Sequence, residues 1–322
     1  MKGVRLFTRT AAAAILTAAL GTVCAWGVPT GEFQLAYRFR PGQEFLYRAN
    51  VEVLPQDDDD TGQRMEAAFS LSVTDGPDDP VALRLALKRV TMLYPSEKLK
   101  VRLVYDVPGD TWYLNGLPLE KAPFRKLSEQ ELFHEIGQVF RKPVEVVITP
   151  NGSIERLSSS GSFGDVVSRS NVRDVLELLF IPGLPEGPAS QGTTWTRLRQ
   201  MKGSGGRELS VRADYELASF SENGSGHDAR IEFVASATSR IDELPPGNSG
   251  KELALFFVLD GHGTVTVDAE RGVLVSNVME VESSFEVQST EAGSPMGVRR
   301  LHSVWKFSVA LDSEADPEAA YK

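Results

Sequence analysis

The run from Val273 to Ser289 constrains this chain more than any other feature. Val273, Val275, Met279, Val281, Phe285 and Val287 fall on one side of an extended backbone, with Glu280, Glu282 and Glu286 on the other. Successive strand side chains point to opposite faces, so the pattern predicts a strand with one buried and one wet face. Its 17 residues would span ~56 Å at ~3.3 Å each, far longer than a usual strand. A sheet built on strands of that length must coil, which predicts a strongly curved sheet or an open barrel.

The same alternation recurs elsewhere. Leu209, Val211, Ala213, Tyr215 and Leu217 alternate with Ser210, Arg212, Asp214 and Glu216. Ile231, Phe233, Ala235 and Ala237 do so with Arg230, Glu232 and Ser236. Leu301, Trp305, Phe307, Val309 and Leu311 face away from Arg300, His302, Lys306 and Ser308. Half-buried strands of this kind are typical of antiparallel sheets. Between Val81 and Tyr94 the apolar positions slip from odd to even, which predicts a bulge near Lys88 and Arg89. Asn151-Gly152 and Asn223-Gly224 supply hairpin turns, and Gly272 suits a left-handed turn position before the long strand.

Two stretches read as helices inserted among the strands, near 124–141 and 163–180. The first opens with a Ser128-Glu129-Gln130-Glu131 capping box, then carries Phe133, Ile136 and Phe140 at helical spacing. Pro and Gly crowd 181–188 and mark a boundary between an N-terminal β half (33–185) and a C-terminal one (188–311). A short echo accompanies it: Gly42 and Gly192 each stand three residues before an aromatic (Phe45, Trp195) at the opening of a β run. Residues 312–322 are polar and read as a frayed tail. The expected fold is therefore mainly β: two curved antiparallel sheet halves or an open half-barrel, with a helix–hairpin–helix insertion.

Residues 1–27 have the layout of a secretory leader. Lys2, Arg5 and Arg9 precede an apolar run of 13 residues, 11–23, which is too short to cross a bilayer. Small residues then permit cleavage after Ala25 or after Gly27. Cys24 is a candidate lipidation site, but Gly21 and Val23 fit the usual lipoprotein pattern poorly. It is the chain's single cysteine, which excludes an internal disulfide framework and any multi-cysteine metal site. Loss of the leader would shift the net charge from −10 to −13, which argues against a nucleic-acid partner. No later run is long enough to span a membrane as a helix. The expected address is the periplasm or the extracellular space.

Chemistry is sparse. His134-Glu135 starts like a zinc-protease helix, but Gln138 stands where the second histidine belongs. His227 and His262 lie in Gly-rich turns and His302 on a strand's wet face. Ser303-Val304-Trp305-Lys306 matches a Ser-x-x-Lys pattern, yet in a strand its ends point oppositely. Asp57, Asp58, Asp59 and Asp60 form a weak calcium candidate, lacking the spacing and glycine of a calcium loop. No cofactor and no enzymatic activity are expected.

The segment 35–47 (LAYRFRPGQEFLY) resembles the opening of exported bacterial proteins grouped only as domains of unknown function: an aromatic–basic strand, a Gly turn and a second aromatic strand. Residues 147–154 and 185–195 are similar to later signatures of that group. The resemblance implies no catalytic residues. At the level of fold alone, curved strands with inserted helices look like the half-barrels of periplasmic lipoprotein and lipid carriers. The expectation is an envelope protein that holds a lipid or acyl chain in a curved sheet, with Phe133, Ile136, Phe140, Met279 and Phe285 as ligand-binding candidates. The alternative is a structural or protein-interaction module with no small-molecule ligand.

Overall fold

The computed structural model describes residues 32–54, 62–75, 80–94, 101–119, 136–138, 140–159, 173, 176–177, 181–202, 208–223, 226–241, 253–289 and 299–315. Gly31–Lys322 form one compact unit. Its strands are β1 (Glu44–Leu54), β2 (Gln63–Asp75), β3 (Val81–Tyr94), β4 (Val101–Asp106), β5 (Thr111–Leu114), β6 (Leu117–Pro118), β7 (Val144–Ile148), β8 (Ile154–Ser159), β9 (Thr194–Lys202), β10 (Glu208–Asn223), β11 (Gly226–Ile241), β12 (Leu253–Asp268), β13 (Val273–Ser289) and β14 (Arg299–Ala315).

All fourteen strands join one antiparallel sheet, twelve of them in the order β6-β5-β4-β3-β2-β1-β14-β13-β12-β11-β10-β9, with β7 paired to β3 and β8 to β7 off this path. The expected halves are therefore not separate sheets. The first supplies a six-stranded meander, β1–β6, with β7 and β8 branching from it, and the second a six-stranded meander, β9–β14, whose last strand pairs with β1. The echo at Gly42 and Gly192 marks equivalent starts. Gly42 N–H donates to the Val73 carbonyl, and Val73 N–H donates back to Gln43. Gly192 and Thr193 make the same exchange with Leu217. In both turns the side chain at the next position, Gln43 or Thr193, accepts the N–H of the residue three before it. Gly42 and Gly192 both take positive φ, +82° and +85°.

The sheet forks at β3. Residues Val81 to Leu85 pair with β7, while Arg89 to Tyr94 pair with β4. The register shift between Ala68 and Phe69 leaves Lys88 as the extra residue, where the sequence predicts a bulge. Bulges bend a strand, and here the bend falls between the two branches. The sheet also curls. From β9 to β8 the path crosses ten strand spacings, ~48 Å if flat. Yet Arg199 on β9 lies 3.7 Å from Glu177, Glu177 pairs with Arg173 at 2.8 Å, and Arg173 donates to the Ile154 carbonyl on β8 at 2.6 Å. An ion-pair chain spans this gap, whereas a closed barrel would use backbone pairing. The sheet is open.

The chain itself fills part of the curl. Residues 34–40, where the resemblance implies an aromatic–basic strand, are extended but outside the ladder. Phe33 makes one isolated bridge to Ala189, Tyr37 N–H donates to the Pro150 carbonyl, and Arg38 N–H to that of Gly272. Leu35, Tyr37 and Phe39 are buried in the main core beside Ile181, Leu184 and Ala189. Their backbone groups find partners on three separate elements, so alternation was satisfied without a neighbouring strand. Trp195 Nε1–H and Arg197 Nη2–H on β9 donate to the carbonyls of Gly183 and Leu184, securing the 181–184 link.

Helical backbone among the described residues is confined to 119, 136–138, 140, 173 and 176–177. The remainder of both expected helices lies outside the described residues, as does the leader with Cys24. β14 runs to Ala315, paired there with Glu44, so the ordered sheet extends beyond the expected strand end at 311.

Candidate functional site

Two apolar clusters line the inner face. The main one gathers Phe45, Tyr47, Phe69, Tyr215, Phe233 and Met279 with the residues that fill the curl. The second is smaller: Leu103, Tyr105, Val107, Trp112 and Leu119, with Ile136 and Phe140 packed against it. Tyr105 stacks on Trp112 at 4.5 Å between ring centres, and Phe140 lies 6.0 Å from Tyr105. The Tyr105 hydroxyl donates to Asp110 Oδ1 at 2.8 Å and also approaches the Gly137 carbonyl at 3.1 Å. A side chain at 137 would meet that hydroxyl at 2.9 Å, so glycine permits the helical turn to sit on the ring. Arg141 completes the latch on Asp110 at 2.7 Å.

The five ligand-binding candidates are thus not all together. Ile136 and Phe140 belong to the second cluster, while Met279 is 2% exposed in the main core. Phe285 occupies β13 opposite Phe257 and Leu301, its side chain outside the described set. Phe133, His134 and Asp57, Asp58, Asp59 and Asp60 lie outside the described residues. Among the described residues no group of three or more metal-ligating side chains converges.

One continuous row nevertheless connects the two clusters. The registers place Met279 (β13) opposite Phe307 (β14), Phe307 opposite Val51 (β1), and Val51 opposite Met65 (β2). Met65 then faces Met92 (β3), and Met92 faces Leu103 (β4). Directly opposed residues share a face in antiparallel pairs, so these six apolar side chains form a single inner-face stripe. Its ends are buried, Met279 at 2% and Leu103 at 7%, but its middle is open: Phe307, Val51 and Met92 are half-buried and Met65 is 39% exposed. The adjoining row adds Trp305 and Val53, and the Trp305 and Phe307 rings stack 6.2 Å apart. Five strand spacings give the stripe a length of ~24 Å. Three of its members are methionines, whose flexible thioether stems adapt to irregular apolar partners. The alternation of each strand was readable, but the registers that align Val51, Met65 and Met92 were not.

The ionisable groups beside the inner face are structural in character. Burial pushes the Tyr37 and Tyr47 hydroxyls well above their ordinary pKa, and each donates to a backbone carbonyl, of Pro182 and Leu274 respectively. Burial, reinforced by the hydrogen bond to Asp110, does the same for Tyr105. Such hydroxyls stay protonated at neutral pH.

No family model matches the sequence, including any for the exported bacterial proteins it resembles, and no curated protein matches it. Among solved structures, one of lipovitellin described in terms of its lipid–protein interactions is similar at 13% identity and a TM-score of 0.42, over 86% of this chain. The match covers 26% of lipovitellin, so this chain spans about a quarter of that protein. Among the described residues no helix is long and apolar enough to cross a membrane.

Proposed function

We propose that this is an exported envelope protein, not an enzyme, that holds a lipid or acyl chain along the inner-face stripe from Met279 to Leu103. The observation that carries the reading is the exposure of the stripe's middle between two buried ends. A dry core would bury Met65 and Phe307, whereas a site for an apolar guest leaves such side chains within reach of it. Size agrees: one leaflet's acyl chains fill ~15 Å, half of the bilayer's ~30 Å apolar thickness, and the stripe extends over ~24 Å. The ligand position differs from a simple lining of the whole curl, because 33–39 and 181–189 already occupy part of it. That self-filling favours the second reading, a structural or protein-interaction module without a ligand.

The test is to express the full chain with its leader, purify the processed protein, and extract it with organic solvent for mass spectrometry. Stoichiometric lipid, with an N-terminus at Trp26 or Val28, supports the carrier. If no lipid co-purifies and no added fatty acid is taken up, the interaction module replaces it. An N-terminus still at Met1 overturns export.

A further inference from the structure

On the opposite, outer face, β1 to β4 carry arginines at four corners of a groove of about 580 Å³. Arg48 and Arg89 lie in one cross-strand row, separated by Ala68. Arg64 and Arg102 lie in another, separated by Leu93. Each pair is two strand spacings apart, ~10 Å, and the rows lie four residues apart, ~13 Å. Thr91, only 4% exposed, forms part of the floor between the rows. Two carboxylates share the groove: Asp312 pairs with Arg48 at 3.0 Å and Glu66 with Arg64 at 3.1 Å. Arg89 and Arg102 are exposed, and among the described residues neither guanidinium has an ion pair. Four guanidiniums against two carboxylates line the groove itself; Asp106 and Glu52 flank it opposite Arg89 and Arg64, with Asp106 held by the Gly109 N–H.

Repulsion between guanidiniums on a short-floored surface is relieved by an anion that spans them, and the fork of each guanidinium matches phosphate oxygens bidentately. Arg89 and Arg102 stand in different rows, so a ligand with more than one phosphate can meet each guanidinium with a group of its own. We propose that this groove binds an anion carrying several phosphate groups, with Arg89 and Arg102 as its principal contacts. It is independent of the inner-face reading, since the sheet separates the two surfaces. The phosphates can belong to a soluble chain or to the headgroups of an anionic membrane, and the experiment distinguishes these sources.

Binding of a linear tetra- or longer polyphosphate is measured by calorimetry, and binding to phosphatidylglycerol vesicles by flotation, each across a salt series. The double variant Arg89→Gln/Arg102→Gln is compared with Arg230→Gln, which removes an exposed arginine on β11. Arg48→Gln is a further variant, and thermal melts check that each is folded. The double variant is expected to weaken binding at least ~10-fold and to flatten the slope of log K against log salt by about 2, one for each guanidinium–phosphate pair it removes. Arg230→Gln is expected to leave both unchanged. Polyphosphate binding with this pattern identifies a soluble ligand, and vesicle binding alone with the same pattern identifies headgroups. Binding of neither, or loss that is equal in Arg230→Gln, overturns the proposal.

Discussion

Gly272 offers a clean test of how residues 34–40 are seated. It lies in the turn between β12 and β13 at φ +62°, and its carbonyl accepts the Arg38 N–H at 3.2 Å. A Cβ built there would collide with the Ala36 carbonyl oxygen and stand 2.5 Å from the Arg38 nitrogen and 3.0 Å from its Cβ. The first two obstacles are backbone, so no rotamer change relieves them. In Gly272→Ala the left-handed conformation costs ~1 kcal/mol, and displacing the crossing segment forfeits a hydrogen bond worth ~1 kcal/mol. Disturbed packing around Leu35, Tyr37 and Phe39 adds ~1 kcal/mol or more. Gly42 and Gly192 provide the control, since both have positive φ but nothing within 4 Å of a Cβ. Gly42→Ala and Gly192→Ala should cost only the conformational ~1 kcal/mol. At ~2–4 °C per kcal/mol, Tm should fall by ~6–12 °C for Gly272→Ala and by ~2–4 °C for each control. Equal losses in all three variants would refute the close crossing of 36–38 over the turn.

Two further outcomes follow from the same packing. Tyr105→Phe keeps the stack on Trp112 but removes the donor to Asp110, and should lower the denaturation midpoint by an amount equal to ~1–2 kcal/mol; an unchanged midpoint would mean the latch contributes nothing. At Glu270, burial would raise the carboxyl pKa, but hydrogen bonds from the His227 backbone N–H and ring hold it below the ordinary 4.5. Its stabilisation is therefore fully present above pH ~4.5 and lost as pH falls through the lower folded value. His227→Ala should flatten that acid limb in stability measured between pH 3 and 6; an identical limb would remove the ring from the account.

Local structure was largely legible in the residues, because alternation, Asn-Gly and the slip at Lys88 are local signals. The strand from Val273 to Ser289 has the bounds its pattern predicts. Gly152 turns between β7 and β8 at φ +83°, and the Gly42 and Gly192 turns share their bonding. Pairing order was not legible. Nothing near Glu44 or Arg299 announces that β1 lies beside β14, since that contact closes a loop of over two hundred residues. The strand that the resemblance implies at 34–40 is likewise unpaired: an extended segment buried on one side alternates like a strand whether or not another strand pairs with it. The stripe was hidden for the same cause. Met65 and Met92 become neighbours of Phe307 only through three registers, and a slip of one residue in any of them would turn a member to the other face.

The most direct measurement of the central claim is uptake of a fluorescent fatty acid by the wild type, Met65→Asp and Val234→Asp. Met65 is 39% exposed on the inner stripe and Val234 is 62% exposed on the outer face, so both positions reach solvent, and thermal melts check that each variant is folded. Saturable uptake that Met65→Asp abolishes and Val234→Asp preserves is the predicted result. No uptake by the wild type, or equal uptake by Met65→Asp, would contradict it.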